Sequence, residues 1–133
     1  MVELNNKFSK KEHLKSHNDI QFLFAKGCSV NESSIRVVYA EKKEKTGIPL
    51  NVGFAVPKKN IRLAVNRNLI KRRIREAYRL NNNELKESLI NAEQELNVMF
   101  IYTAKEIFTY KQIEEKIKVI LKRLKALNEK DSK

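Results

Sequence analysis

The chain has 133 residues, and its 28 Lys and Arg residues against 16 Asp and Glu residues give a net charge of +12. This length fits one domain with one core, and the single cysteine, Cys28, excludes an intramolecular disulfide. The positive charge predicts a polyanionic partner, and without a long apolar run or an apolar signal sequence we expect a cytoplasmic nucleic-acid-binding protein, not a membrane protein.

The N-terminal region is predicted to be a basic mobile arm followed by a helix. Residues 1–15 are polar and rich in lysine, and only the last of them are expected to dock. Ser16 or Asn18 can cap a helix that runs to about Lys26. Gly27 is expected to end this helix in the left-handed conformation.

Three segments have the patterns of β-strands. Residues 34–40 alternate, with Val37 and Tyr39 on one face, and residues 51–56 alternate in the same way, so we expect these two strands to pair antiparallel. Residues 98–103 are almost all apolar, which is typical of a central strand buried on both faces. A helical segment separates this strand from residues 51–56, which makes the two candidates for parallel neighbours.

The segment 64–79 organises the rest of the chain, because it is both amphipathic and strongly basic. On a helix, its apolar side separates from its cationic side. The apolar side holds Ile70, Ile74, Ala77 and Tyr78, and the opposite side holds Asn68, Lys71, Arg72, Arg75 and Arg79. A solvated face usually mixes charges of both signs at i,i+4, whereas this one is almost entirely positive, so the pattern favours phosphate binding.

The last third of the chain is predicted to contain two more helices. Residues 81–83 interrupt the helical pattern, and residues 85–96 resume it weakly. Thr109 and Gln112 form a capping box that starts a long final helix, and residues 125–133 are expected to be a frayed charged tail. Four acids of the weak segment are interpreted as solvated: Glu84, Glu87, Glu93 and Glu95.

These elements predict an α+β fold for residues 1–133, a single domain in which helices pack on one side of a small mixed sheet. The expected order is α-β-β-(β)-α-β-α, with the strand in parentheses left open.

Residues that carry catalysis or bind metals are sparse. His13 and His17 are spaced i,i+4, but no third ligand lies nearby, so a metal site is not expected. Cys28 has no obvious His partner and is interpreted as a buried or half-buried structural thiol. There is no Gly-rich phosphate loop and no acid–base set for a nuclease, so no catalytic residue is expected.

One ordered set of motifs resembles a known family. Residues 56–59 (Val-Pro-Lys-Lys), followed by the basic helix, resemble the signature of the bacterial ribonuclease P protein subunit. Its core, Arg-Asn-x-Ile-Lys-Arg-x-x-Arg-Glu, is matched at every fixed place from Arg67 to Glu76. Residues 18–27, 37–39, 98–102 and 109–110 are similar to its first helix, first strand, last strand and last helix start. Residues 62–65 differ from the family's usual Gly-Asn-Ala-Val, which leaves the path of the 57–65 loop open.

The resemblance implies a function and a topology. Family members assist a catalytic RNA that removes the 5′ leader from precursor tRNA, so the expected partners are that RNA and precursor tRNA, with no membrane and no small-molecule substrate. The resemblance also implies an endoribonuclease holoenzyme whose chemistry belongs to the RNA and its Mg²⁺, with no cofactor bound by the protein. A single-domain α/β sandwich with a left-handed crossover is implied as well, against the usual right-handed rule.

The resemblance further implies two sets of binding residues. The catalytic RNA would contact Lys59, Asn66, Arg67, Asn68, Lys71, Arg72, Arg75 and Arg79. The leader would lie in a cleft between the first helix and the sheet, at Ile20, Phe24, Val37, Tyr39 and Lys58. Spacing alone favours a core role for Ile20 and Phe24, and the resemblance favours the leader surface instead.

Other classes of protein share part of this pattern. A ribosomal or other structural RNA-binding protein would share the charge but has no need of an apolar cleft. A DNA-binding helix-turn-helix protein would need a helix shortly before Arg67, where the sequence is strand-like. A self-sufficient nuclease lacks its active site.

Overall fold

The computed structural model describes the backbone of residues 10–131 and the side chains of residues 10–129. Within this range a four-stranded sheet carries helices on both faces, so the prediction of helices on one side is wrong. The elements are α1 (His17–Lys26), β1 (Cys28–Glu32), β2 (Ile35–Glu41), β3 (Leu50–Ala55), α2 (Ala64–Asn81), α3 (Asn83–Asn91), β4 (Leu96–Tyr102) and α4 (Tyr110–Asp131).

The strand order is β1-β2-β4-β3, with β4 antiparallel to β2 and parallel to β3. The parallel pairing of β3 and β4 is therefore confirmed. The expected pairing of β2 with β3 is wrong, because the apolar β4 inserts between them. The hairpin partner of β2 is instead β1, whose short and mostly polar sequence gave little signal of a strand. The handedness of the crossover between β3 and β4 stays a prediction.

The main core lies on the face of the sheet that α2, α3 and α4 cover. Phe100 of β4 and Val37 of β2 are fully buried there. All four residues of the predicted apolar side of α2 are also buried: Ile70, Ile74, Ala77 and Tyr78. Burial of each large apolar side chain contributes about 1.5–3 kcal/mol, so this face stabilises most of the fold and fixes the direction in which α2 presents its opposite side.

The other face of the sheet carries α1, and Leu14 packs against the same cluster. Leu23 of α1 is fully buried on Val38 of β2 and Met99 of β4. Ser16 caps α1 as predicted, since its Oγ accepts a hydrogen bond from the Asp19 N–H at 3.3 Å. Because one ten-residue helix cannot cover four strands, part of this face stays open beside α1.

Gly27 ends α1, but not in the predicted left-handed conformation. Its φ is −75°, which any residue adopts. A Cβ at this position would lie 2.4 Å from the Leu23 carbonyl oxygen and 2.9 Å from that of Tyr39. Glycine is therefore needed because two backbone segments approach closely where α1 meets β2.

Residues 10–14 dock more fully than the predicted mobile arm. Lys10–Glu12 form a short 3-10 turn, and the Leu14 N–H donates to the Val52 carbonyl at 3.0 Å, so the segment follows the free edge of β3. Glu12 forms an ion pair with Lys86 of α3. Such a cover protects an edge strand from pairing with other chains. Residues 1–9, also assigned to the arm, lie outside the described residues.

Glu95 is buried, contrary to the prediction that it is solvated. Its carboxylate accepts hydrogen bonds from the backbone N–H groups of Thr46 and Gly47 at 2.7 and 2.9 Å, and Lys42 Nζ lies 3.6 Å away. Burial by itself raises the pKa of Glu95, but these partners outweigh it and hold the pKa below its usual value. The network fastens the 42–49 loop to the start of β4.

The start of α4 agrees with the prediction, and its end does not. The Thr109–Gln112 capping box is confirmed, with reciprocal hydrogen bonds of 2.9 and 3.2 Å. The expected frayed tail is wrong up to Asp131, because α4 continues to that residue with Leu124 buried and Leu127 packed against the core.

Candidate nucleic-acid interface

Helix α2 presents its predicted cationic side to solvent. Asn68, Arg72 and Arg75 are exposed and Lys71 is half-buried, while the apolar side of the helix is held in the core. The first turn of α2 contains no acidic residue, so nothing there offsets the positive end of the helix dipole. This arrangement suits phosphate groups, which Arg binds bidentately.

The guanidinium of Arg67 holds the loop that precedes α2. Its Nη1 donates to the backbone carbonyls of Ile61 and Arg62 at 3.1 and 2.7 Å, and so folds the loop back onto the start of α2. Lys59 is exposed on the same loop and Asn66 is half-buried in the first turn. The predicted catalytic-RNA set therefore lies along one helix and the loop before it.

Arg79 is the least available cation of this set. Its Nη2 and Nε donate to the Glu76 carboxylate at 2.6 and 3.1 Å, and this bond lowers the pKa of Glu76. Arg73 is also engaged, because it donates to the backbone carbonyl of Phe108 and ties α2 to the loop before α4. The other cations of α2, Lys71, Arg72 and Arg75, lie near the middle of the helix, and Arg75 is 6.0 Å from the centroid of the Phe54 ring.

We call the open part of the α1 face, beside Ile20 and Phe24, the cleft. The residue pairing places Arg36 of β2 beside Ile101 of β4, and Ile101 beside Ala55 of β3, in one row across the sheet. Arg36 is exposed and the other two are half-buried. Ile20 packs against the α1 cluster next to this row, and Phe24, on the same flank of α1, is 52% exposed.

Val37 and Tyr39 do not lie in this cleft, so their assignment to it is corrected. Val37 is 0% exposed and contacts the α2–α4 core, and Tyr39 packs against the same core. Successive residues of a strand point to opposite faces, so the face toward α1 carries Arg36 and Val38 instead. The alternation was visible in the sequence, but the side of β2 that faces α1 depends on the tertiary packing. The charge of Arg36, the second residue of β2, indicates that its face is partly open to solvent, but it does not indicate which helix packs on that face.

Lys58 is exposed on the turn after β3, three residues beyond Ala55 of the cleft row. It lines a surface hollow with Lys59, Arg62 and Leu63. The structure therefore places Lys58 between the end of the cleft and the loop that leads into α2, and not against Ile20 or Phe24.

The described part of the chain has neither a metal-binding cluster nor a membrane-spanning helix. Among residues 10–129, no group of three or more His, Cys, Asp and Glu side chains could hold a metal ion. None of the described helices has the length and apolar character needed to cross a membrane.

The sequence of the chain matches known families and proteins. The Ribonuclease P family matches residues 8–125. The ribonuclease P protein component of Porphyromonas gingivalis is 31% identical over 116 residues, which cover 87% of this chain and 85% of that protein. The component from Buchnera aphidicola is 33% identical over 107 residues, covering 80% of this chain and 82% of its own length.

Solved structures agree with these matches. The Staphylococcus aureus RNase P protein superimposes with a TM-score of 0.67 at 28% identity, covering 84% of this chain and 94% of that one. The RNase P protein from Thermotoga maritima gives a TM-score of 0.66 at 23% identity, with 84% and 96% covered, which supports the fold. The chain therefore belongs to the ribonuclease P protein family, the protein component of the endoribonuclease that matures the 5′ end of tRNA.

Proposed function

We propose that this chain binds two RNA segments on opposite faces of its sheet. The α2 face and the loop before it would bind the catalytic RNA, and the cleft beside α1 would bind the single-stranded leader of precursor tRNA. The proposal rests on one observation above all: α2 packs on one face of the sheet, and the open cleft with Phe24 and Arg36 lies on the other.

The chemistry of each surface fits its proposed RNA. The α2 face offers exposed cations, which suit the phosphates of a folded RNA that is recognised by its shape and backbone. The cleft offers an exposed aromatic ring, aliphatic walls and the Arg36 guanidinium, and single strands bind by stacking on such groups next to cations.

The same residues indicate which tasks belong to the protein and which to the catalytic RNA. We place the hydrolytic step on the catalytic RNA and its Mg²⁺, because no group of His, Cys, Asp and Glu side chains among residues 10–129 could hold the metal ions of a protein nuclease. The protein would then act through binding and positioning, without a cofactor of its own, in the cytoplasm.

Reconstitution tests this proposal directly. Cleavage of precursor tRNA is measured with the catalytic RNA alone, the protein alone and both together at low Mg²⁺. We expect no cleavage by the protein alone and faster cleavage by the complex than by the RNA. Leader removal by RNA-free protein would overturn the assignment of chemistry, and equal affinity of the complex for precursor and mature tRNA would overturn the assignment of the leader.

A further inference from the structure

A second hollow lies on the flank of α1 that faces away from the leader cleft. It is a cavity of about 350 Å³ between α1, the adjoining ends of β1 and β2, and the last turns of α4. Its walls are mainly apolar, formed by Phe22, Tyr39, Leu96, Leu124 and Leu127. Nothing in the proposed function above uses this cavity.

Groups at the cavity match the parts of a nucleotide. Phe22 and Tyr39 offer aromatic surfaces to a base, and the amide of Gln94 lines the same space, where it can meet a polar base edge. The Asn128 amide lines it as well, but its Nδ2 already donates to Ser88 Oγ at 3.2 Å. Lys26 lines the cavity, and Lys43 Nζ lies 4.4 Å from the centroid of the Phe22 ring. Among the described lining residues, Glu41 is the one acid.

The position of the cavity favours the leader over the catalytic RNA. In the sheet order β1-β2-β4-β3, the cavity lies at the β1–β2 side, whereas α2 contacts β3. α1 is shared by the cleft and the cavity: Ile20 and Phe24 lie on one flank, and Phe22 and Lys26 on the other. A strand that leaves the cleft can therefore reach the cavity by crossing α1.

We propose that this cavity, between Phe22 and Tyr39, takes one unpaired base of the leader upstream of the segment in the cleft, with Lys26 and Lys43 beside its phosphates. This inference rests on the proposed leader-binding function and adds a second contact point to it. Tyr39 then contacts the leader from the face of the sheet opposite to the cleft.

Cys28 is exposed, so its interpretation as a buried or half-buried thiol is wrong. It provides the measurement, because it lines the cavity and is the only cysteine of the chain. The rate of Cys28 alkylation by N-ethylmaleimide is measured in the reconstituted holoenzyme with precursor tRNA carrying a long leader, with mature tRNA, and without tRNA. We expect precursor tRNA to slow alkylation in proportion to the bound fraction, about tenfold when nine-tenths of the protein is bound. Mature tRNA should leave the rate unchanged.

Two variants decide whether protection comes from the cavity. Phe22→Ala should abolish the protection by precursor tRNA, and thermal unfolding checks that the variant folds. Lys26→Gln combined with Lys43→Gln removes two exposed cations, together with the contact of Lys43 with the Phe22 ring, and should weaken the protection while thermal unfolding stays unchanged.

Three results would overturn the inference. The first is protection of Cys28 by mature tRNA or by the catalytic RNA alone. The second is protection of Cys28 by precursor tRNA that persists in both variants. The third is precursor selectivity that depends on Phe24 while Cys28 reacts at an unchanged rate. The last result would leave the leader cleft standing and remove only the cavity. Loss of precursor selectivity itself would instead remove the proposed function.

Discussion

Val38 pairs with Met99 across β2 and β4, and Leu23 of α1 is buried against both side chains. This contact decides which side of the sheet belongs to α1 and which belongs to the main core. The neighbouring row, Arg36 beside Ile101, stays open and forms the floor of the cleft.

We predict different effects from substitutions at two neighbouring residues of β2, because only one of them lies in the cleft. Arg36→Ala removes an exposed cation and should weaken precursor binding without changing stability. Val37→Ala opens a hole in the core and should lower the free energy of unfolding by about 2 kcal/mol, with little direct effect on the leader. Thermal unfolding and precursor affinity of both variants are measured together. Equal losses of precursor affinity at equal stability would contradict the assignment of faces.

Phe24 predicts a loss that depends on the leader. Because its ring is 52% exposed, Phe24→Ala should leave the unfolding temperature nearly unchanged. It should weaken binding of precursor tRNA by about 1–3 kcal/mol, the usual contribution of one stacked base, and spare mature tRNA. The control is Val119→Ala, which removes another exposed apolar side chain on α4. A large drop in unfolding temperature would show that Phe24 is part of the core.

The cations of α2 should differ in their contribution to assembly with the catalytic RNA. Arg72→Ala should weaken assembly and reduce the slope of log K against log salt by about one per lost phosphate contact. Arg79→Ala should cost less, because the Arg79 guanidinium is already paired with Glu76. Arg123→Ala is the control, since Arg123 contacts Glu32 at the β1 edge of the sheet. An unchanged slope for Arg72→Ala would mean that this face is only solvated.

We predict that replacing Gly27 destabilises the protein because the added Cβ is crowded, and not because of the backbone angle φ. Gly27→Ala would place a Cβ against two backbone oxygens, which cannot move as a flexible side chain does. We expect a loss of about 1–3 kcal/mol in the free energy of unfolding by chemical denaturation. At Gly53 the nearest atom is the terminal methyl of Met99, so Gly53→Ala should cost less. The reverse order would show that the junction of α1 and β2 is looser than described.

Glu95 predicts a pH-dependent contribution to stability. Its pKa in the folded protein lies below the usual 4.5, so its contribution is complete above that pH and is lost as the pH falls through the lower, folded value. Glu95→Gln should cost about 1–3 kcal/mol at neutral pH, and the difference from the parent protein should shrink in acid. Glu87→Gln, on the exposed side of α3, is the control. A constant difference across pH would argue against this linkage.

Local patterns determined the parts of this protein that depend on neighbouring residues in the chain. The spacing of Ile70, Ile74, Ala77 and Tyr78 was enough to orient α2, because a helix of fixed period must bury its apolar stripe. The Thr109 cap and the cationic side of α2 could also be predicted, because each depends only on residues a few places apart in the chain. The family also followed from the sequence, through the fixed places between Arg67 and Glu76.

Only the tertiary structure decided the relationships between distant segments. The alternation in β2 separates Val37 from Val38, yet both are apolar, so the sequence contains no information on which of them meets α1. Likewise, β4 lies between β2 and β3 because its apolar residues need cover on both faces, and Glu95 is buried because the 42–49 loop folds over it. These arrangements arise from packing and hydrogen bonding across the whole chain, which a local pattern does not specify.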